Sequence, residues 1–133
     1  MDTKQLAGRR YRPRIVDTRL EFLLQASGAV IIEGPRGCGK TMTSLHHCAS
    51  YAFIDDPATN QIAQLAPQAV LEGPRPRLLD EWQTAPDLFN LVRREVDAVA
   101  EPGQFILAGS AVPADDITRH TGAGRFLRLR QRT

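Results

Sequence analysis

Cysteine is scarce in this chain. Cys38 and Cys48 stand ten positions apart with no C-x-x-C spacing, so neither a disulfide framework nor a zinc site is supported. No apolar run approaches the ~20 residues of a membrane-spanning helix, and the first residues carry no hydrophobic signal region; a soluble, cytoplasmic protein is expected. Charge of one sign does not dominate either, with 17 Lys and Arg against 15 Asp and Glu. The arginines are nevertheless segregated: Arg9, Arg10, Arg12 and Arg14 crowd the start, and Arg119, Arg125, Arg128, Arg130 and Arg132 crowd the end. Aromatics make up only 6% of the chain. With so few to interleave and no reader motif, solvated faces and phosphate contacts are a better reading of those arginines than a nucleic-acid interface. There is no N-K-x-D guanine motif, internal repeat or low-complexity tract, and 133 residues suit one domain rather than two.

What is present is a motif. Gly34-Pro35-Arg36-Gly37-Cys38-Gly39-Lys40-Thr41 fits G-x-x-x-x-G-K-[ST] without a mismatch. Chance would supply it in about one sequence of this length in a few hundred, and the context is what the chemistry requires. Gly28 to Ile32 is a β-branched run of strand length, and Lys40 to Ala49 lacks Gly and Pro, so strand, loop and helix are expected in that order. Backbone N–H groups from Gly37 to Thr41 can then curl around a phosphate at a helix N-terminus. Lys40 would reach the β- and γ-phosphates, the Thr41 hydroxyl would join a Mg²⁺ shell, and Met42 continues the nucleotide-binding segment. Cys38 occupies a free position of the motif, where it is read as incidental, the alternative being a reactive thiol because a helix N-terminus lowers thiol pKa. His46-His47-Cys48 resembles a metal cluster on paper, but adjacent helical residues point ~100° apart and cannot converge on one ion.

Along the rest of the chain, Asp17-Thr18 offers an N-cap for a helix that carries Leu20, Leu23 and Leu24 on one face and ends near Ser27-Gly28. Tyr51 to Ile54 reads as a second strand, closed by a turn at Asp55-Asp56-Pro57. Ala58 to Leu71 reads as one or two short helices interrupted near Pro67. Gly73-Pro74-Arg75-Pro76 is a rigid connector, and a third strand starts at Arg77. Pro86 opens a helix with Leu88, Leu91, Val92, Val96 and Val99 at helical spacing, ended by Glu101-Pro102-Gly103. Phe105 to Ala108 is a fourth strand. Phe126 to Arg130 is a fifth, with Arg128 and Arg130 on one face, so it is expected to be partly exposed or at an edge. Strands alternating with helices call for a parallel sheet covered on both faces, with the carboxyl ends of strands one, three and four around one crevice.

The remaining chemistry falls at those ends. Arg77-Leu78-Leu79-Asp80-Glu81 closes an apolar run with two acids, as a Walker B segment does. Asp80 would hold Mg²⁺ through its water shell, and Glu81 would orient the attacking water. Acid pairs at strand ends also occur without function, and it is the phosphate loop upstream that raises the catalytic reading. Ser110, after the fourth strand, is a candidate sensor of the γ-phosphate, although a serine in a glycine turn needs no such role. Arg125, in Gly122-Ala123-Gly124-Arg125, is the candidate arginine finger delivered from a neighbouring subunit, with Arg119 its competitor and a solvated loop residue the plain alternative.

With these residues in view, the chain resembles the prokaryotic AAA-type ATP-binding proteins in which an ATPase domain precedes a C-terminal domain of unknown function. The likeness spans Tyr11-Arg12-Pro13-Arg14, the phosphate loop, Phe53-Ile54-Asp55-Asp56-Pro57, Arg77 to Gln83, Phe105 to Ser110 and Gly122 to Arg130. It implies an α/β P-loop NTPase fold of AAA+ type: a three-layer sandwich around a five-stranded, mainly parallel sheet in the order 5-1-4-3-2. It also implies an ATP·Mg²⁺ site at an interface of a homo-oligomer, with the segment around Tyr11 to Ile15 near the adenine. Ala108 stands where the family tends to have the Thr of Thr-Gly-Ser, which removes one hydroxyl from the sensor region. Residues 1–133 are expected to be one such domain cut short, with a basic N-terminal lead-in over 1–16 and with the lid helices and C-terminal domain missing.

The expected activity is Mg²⁺-dependent ATP hydrolysis. The alternatives are a nucleotide-binding switch with little turnover, an inactive remnant, or a small phosphoryl transferase, the last weakened by the lack of an arginine-rich lid. Lys40→Ala is expected to abolish nucleotide binding while the fold is retained, which calorimetric titration of ATP and Mg²⁺ will check; unchanged affinity would remove the phosphate-loop assignment.

Overall fold

The structure, a computed structural model, describes residues 15–34, 40–109 and 126–130. Five strands form one sheet: β1 (Ala29–Glu33), β2 (Ser50–Phe53), β3 (Arg77–Asp80), β4 (Phe105–Gly109) and β5 (Phe126–Arg130). Their order is β2-β3-β4-β1-β5, and every pairing is parallel. This is the expected 5-1-4-3-2 arrangement, and β5 lies at an edge as its arginines predict. The helices are α1 (Ile15–Ala26), α2 (Lys40–His47), α3 (Pro57–Leu65), α4 (Pro67–Val70) and α5 (Leu88–Val99), with a 3₁₀ turn at Trp82–Thr84.

A parallel sheet buried on both faces needs apolar residues at consecutive positions, and β1 and β4 are buried at all five of theirs. Alternation then divides them between two cores. Ala29, Ile31, Leu79, Phe105 and Leu107 pack with Trp82, Leu88, Phe89, Val92 and Val96 beneath α5. Val30, Ile32, Leu78, Ile106 and Ala108 face the other way, against Leu20 and Leu24 of α1 and Leu45 of α2. Helix, sheet and helix therefore make three layers. Gly28 permits the close approach of α5 at the base of β1, where a Cβ would lie 2.3 Å from Val96 Cγ1.

The local readings differ from the structure in several places. Asp17 does not cap α1. The helix begins at Ile15, and the Asp17 carboxylate is buried against His47 Nε2 at 2.8 Å. A hydrogen-bonding side chain near a helix start satisfies the usual N-cap pattern, but here a partner on α2 claims it. The second strand starts one residue earlier than expected, at Ser50. The acidic turn after it is also a cap: Asp56 accepts from Thr59 N–H at 3.2 Å and starts α3. On α5 the buried face is Leu88, Phe89, Val92 and Val96, while Val99 is 42% exposed in the last turn, where the helix has run past the core.

Arg77, at the amino end of β3, donates to Val70 O and Ser50 Oγ. Arg75 places its guanidinium 4.3 Å from the Phe105 ring centroid and donates to Gln104 Oε1 at 3.1 Å. These contacts fasten the Gly73–Pro76 connector to the end of the sheet opposite the paired acids. Leu79 is fully buried in the middle of the larger core, so Leu79→Ala is expected to cost about 2–5 kcal/mol. Urea unfolding will show this as a lower midpoint at unchanged slope.

Candidate functional site

Parallel registration brings three strand ends to one level. Glu33 pairs with Gly109 across β1 and β4, and Asp80 pairs with Ala108 across β3 and β4. Backbone bonds extend that level beyond the ladder: Glu81 N–H donates to Ala108 O at 2.7 Å, Ile54 N–H to Asp80 O at 2.9 Å, and Gly34 N–H to Gly109 O at 3.4 Å. The carboxyl ends of β1, β3 and β4 thus meet where the phosphate-loop motif starts, the crevice in which open α/β sheets hold ligands.

Helix α2 begins at this edge. Its second residue, Thr41, donates its hydroxyl to Asp80 Oδ1 at 3.2 Å and lies 3.4 Å from Oδ2. Two residues 39 positions apart, singled out separately as metal ligands, are thereby brought together. Asp80 is buried, with 5% of its surface exposed, so its carboxylate is aimed along the crevice instead of into solvent. A hydroxyl and a carboxylate are the hard oxygen donors that suit Mg²⁺, which takes one or two protein ligands and fills its octahedron with water and phosphate oxygens.

Glu81, the acid that follows Asp80, is also buried, at 7% exposure. Its backbone is left-handed, with φ 56° and ψ 43°, a conformation that costs a non-glycine residue roughly 1–2 kcal/mol. Such strain persists only where the surroundings over-determine it, and here they do. Thr84 Oγ1–H donates to Glu81 O at 2.9 Å, and Thr84 N–H donates to the same oxygen at 3.2 Å. Asn60 on α3 reaches across from below: its Nδ2 group donates to Ile54 O at 3.0 Å and lies 3.3 Å from both Thr84 O and Thr84 Oγ1. On the carboxylate side, Gln83 Nε2 donates to Glu81 Oε2 at 2.5 Å.

The other candidate residues are placed as follows. Gly34 follows β1 and is tied to β4 through its N–H. Lys40 is described by its backbone, as the first residue of α2. Met42 is 39% exposed. Pro35, Arg36, Gly37, Cys38, Gly39, Ser110, Arg119 and Arg125, with the Tyr11 to Arg14 segment, lie outside the described residues. In the histidine cluster, His47 turns to Asp17 and Cys48 packs inside, its Sγ–H pointing to Leu45 O at 3.7 Å. Burial pushes the Cys48 thiol up to about 11, so it is not a thiolate nucleophile near neutral pH.

Three residues at the site escaped the sequence reading. Glu33, an acid buried at the end of β1, was hidden by the motif that starts one residue later. Asn60 sits on α3, 21 positions before Glu81, with no signal to link them. Gln83 carries no signal in the sequence beyond its place at the end of the Arg77 to Gln83 segment. For Asn60 the consequence is testable: Asn60→Ala removes the donor shared by Ile54 and Thr84. It is expected to cost about 1–2 kcal/mol and to speed amide exchange over residues 81–85, measured by hydrogen-exchange NMR.

Residues 26–130 match the family model described as an AAA domain. Among curated relatives, the uncharacterized proteins Rv2008c of Mycobacterium tuberculosis and Mb2031c of Mycobacterium bovis are each 34% identical over 99 residues. The match covers 71% of this chain but only 22% of theirs, so the chain spans about a fifth of the length of those relatives. Among solved structures, AMPPCP-bound DnaA from Aquifex aeolicus superposes with a TM-score of 0.54 at 19% identity, over 86% of this chain and 44% of that one, a likeness of fold.

Proposed function

The chain belongs to the AAA-domain family, and from that premise we propose that it binds ATP with Mg²⁺ and hydrolyses it at the edge where β1, β3 and β4 end. The observation that carries the hydrolytic part is Glu81. A protein that only binds nucleotide needs the phosphate loop and Asp80, but it has no use for a second buried acid held in a left-handed backbone beside them. That left-handed conformation falls on the residue immediately after β3.

In this reading Lys40 and the backbone of Gly34 to Met42 bind and orient the triphosphate. Thr41 and Asp80 hold Mg²⁺, which when bound neutralises charge developing on the phosphates. Glu81 accepts a hydrogen bond from the attacking water and aligns it with the γ-phosphorus. Ser110 reads the γ-phosphate, and Arg125 completes the site from a neighbouring copy in a homo-oligomer. AMPPCP in the DnaA structure is an ATP analogue bound to a relative of the same fold, which supports ATP as the ligand class here. No helix among the described residues is long and apolar enough to cross a membrane.

Glu81→Gln keeps the shape of the side chain and removes its charge. It is expected to retain ATP affinity by calorimetry and to lose phosphate release by about 10²-fold or more; turnover at the wild-type rate would deny Glu81 its role.

A further inference from the structure

Two buried polar atoms converge on one glycine at the site. Gln83 Oε1 and Trp82 Nε1 are buried and find no hydrogen-bond partner among the described residues. Both lie against Gly109, the last residue of β4: a Cβ there would fall 2.5 Å from Gln83 Oε1 and 3.2 Å from Trp82 Nε1. The glycine is therefore what lets the Gln83 carboxamide approach the strand. The other end of the same carboxamide donates to the Glu81 carboxylate. Leaving a buried carbonyl without a strong donor is costly, and the arrangement is sustained because Nε2 gains a charge-assisted bond in return.

We propose that Gln83 is a positioning residue that holds the Glu81 carboxylate against the carboxyl end of β4. The proposal rests on Glu81 being the water-orienting acid, and it says how that acid is aimed. Glu81 Cα is fixed by Thr84 and by its own N–H bond to Ala108 O. Those contacts act on the backbone, whereas Gln83 acts on the carboxylate itself, donating to Oε2. Because the carboxamide touches Gly109, immediately before Ser110, a shift of the β4 end is transmitted to Glu81 through one side chain. Gln83 need not touch nucleotide or water for this; it acts through its bond to Glu81 and its contact with Gly109.

The test separates bulk from hydrogen bonding. Gln83→Met keeps the length of the side chain but cannot donate, and Gln83→Ala removes both. Both are expected to keep ATP affinity and to lower the rate of phosphate release about tenfold or more. Wild-type turnover in Gln83→Met, alongside an inactive Glu81→Gln, would reduce Gln83 to a space filler and overturn the proposal. A second measurement does not depend on turnover. The Gln83 carboxamide protons, identified in the ¹⁵N spectrum by their loss in Gln83→Ala, should exchange with water more slowly in the wild type than in Glu81→Ala. Equal exchange in the two proteins would show that the bond is not formed in solution and would also overturn the proposal. If the wild type released no phosphate but this exchange difference held, the clamp would stand and the hydrolytic reading would fail.

Discussion

The parallel registration of β1, β4 and β3 is the constraint on which the rest of the molecule depends. Parallel strands cannot be joined by tight hairpins and must cross over through helices, so consecutive strands all end on the same side. In this chain that side receives Glu33, Gly109, Asp80 and, one residue further, Glu81. Slipping one strand by a residue would exchange its two faces, moving Leu79 and Leu78 into each other's cores and carrying Asp80 away from Thr41. The apolar packing and the chemistry are thus set by the same ladder, and the site needs no separate scaffold.

Much of this was legible in the sequence because the signals were periodic or local. Consecutive apolar residues marked β1 and β4, helical spacing marked α5, and the phosphate-loop pattern fixed where a strand had to give way to a helix. Asp80 followed from its place at the end of an apolar run. What could not be read was long-range or conformational. Nothing in the letters of Glu81 announces a positive φ, since that value is imposed by Thr84, by Ala108 and, through Thr84, by Asn60 on another element. Asp17 satisfies every local rule for a cap and is nevertheless drawn to His47, thirty residues on, because burial makes the pair more demanding than the helix terminus. Val99 has the correct spacing on α5 and still lies outside the core, because spacing specifies a face and says nothing of where the core stops.

The Asp17–His47 pair also shows how α2 is held at both ends. Its first turn meets β3 through Thr41 and Asp80, and its last residue is fastened to α1. A helix of eight residues has little stability of its own, so its direction in the fold comes from these two anchors and from Leu45 in the smaller core. The paired acids on the opposite side of the crevice are held by backbone bonds and by α3. The two halves of the site are therefore supported by different layers of the sandwich.

The chain contains a single tryptophan, and it occupies a telling place. Trp82 is 1% exposed, tilted against the Phe89 ring at 5.8 Å, and its indole N–H ends beside Gln83 and Gly109. An aromatic ring with a polar edge left over responds optically to small changes at that edge. The protein accordingly carries its own emission signal at the junction of β3 and β4, free of background from any other indole. Rearrangement around the second acid can be followed in real time without attaching a dye.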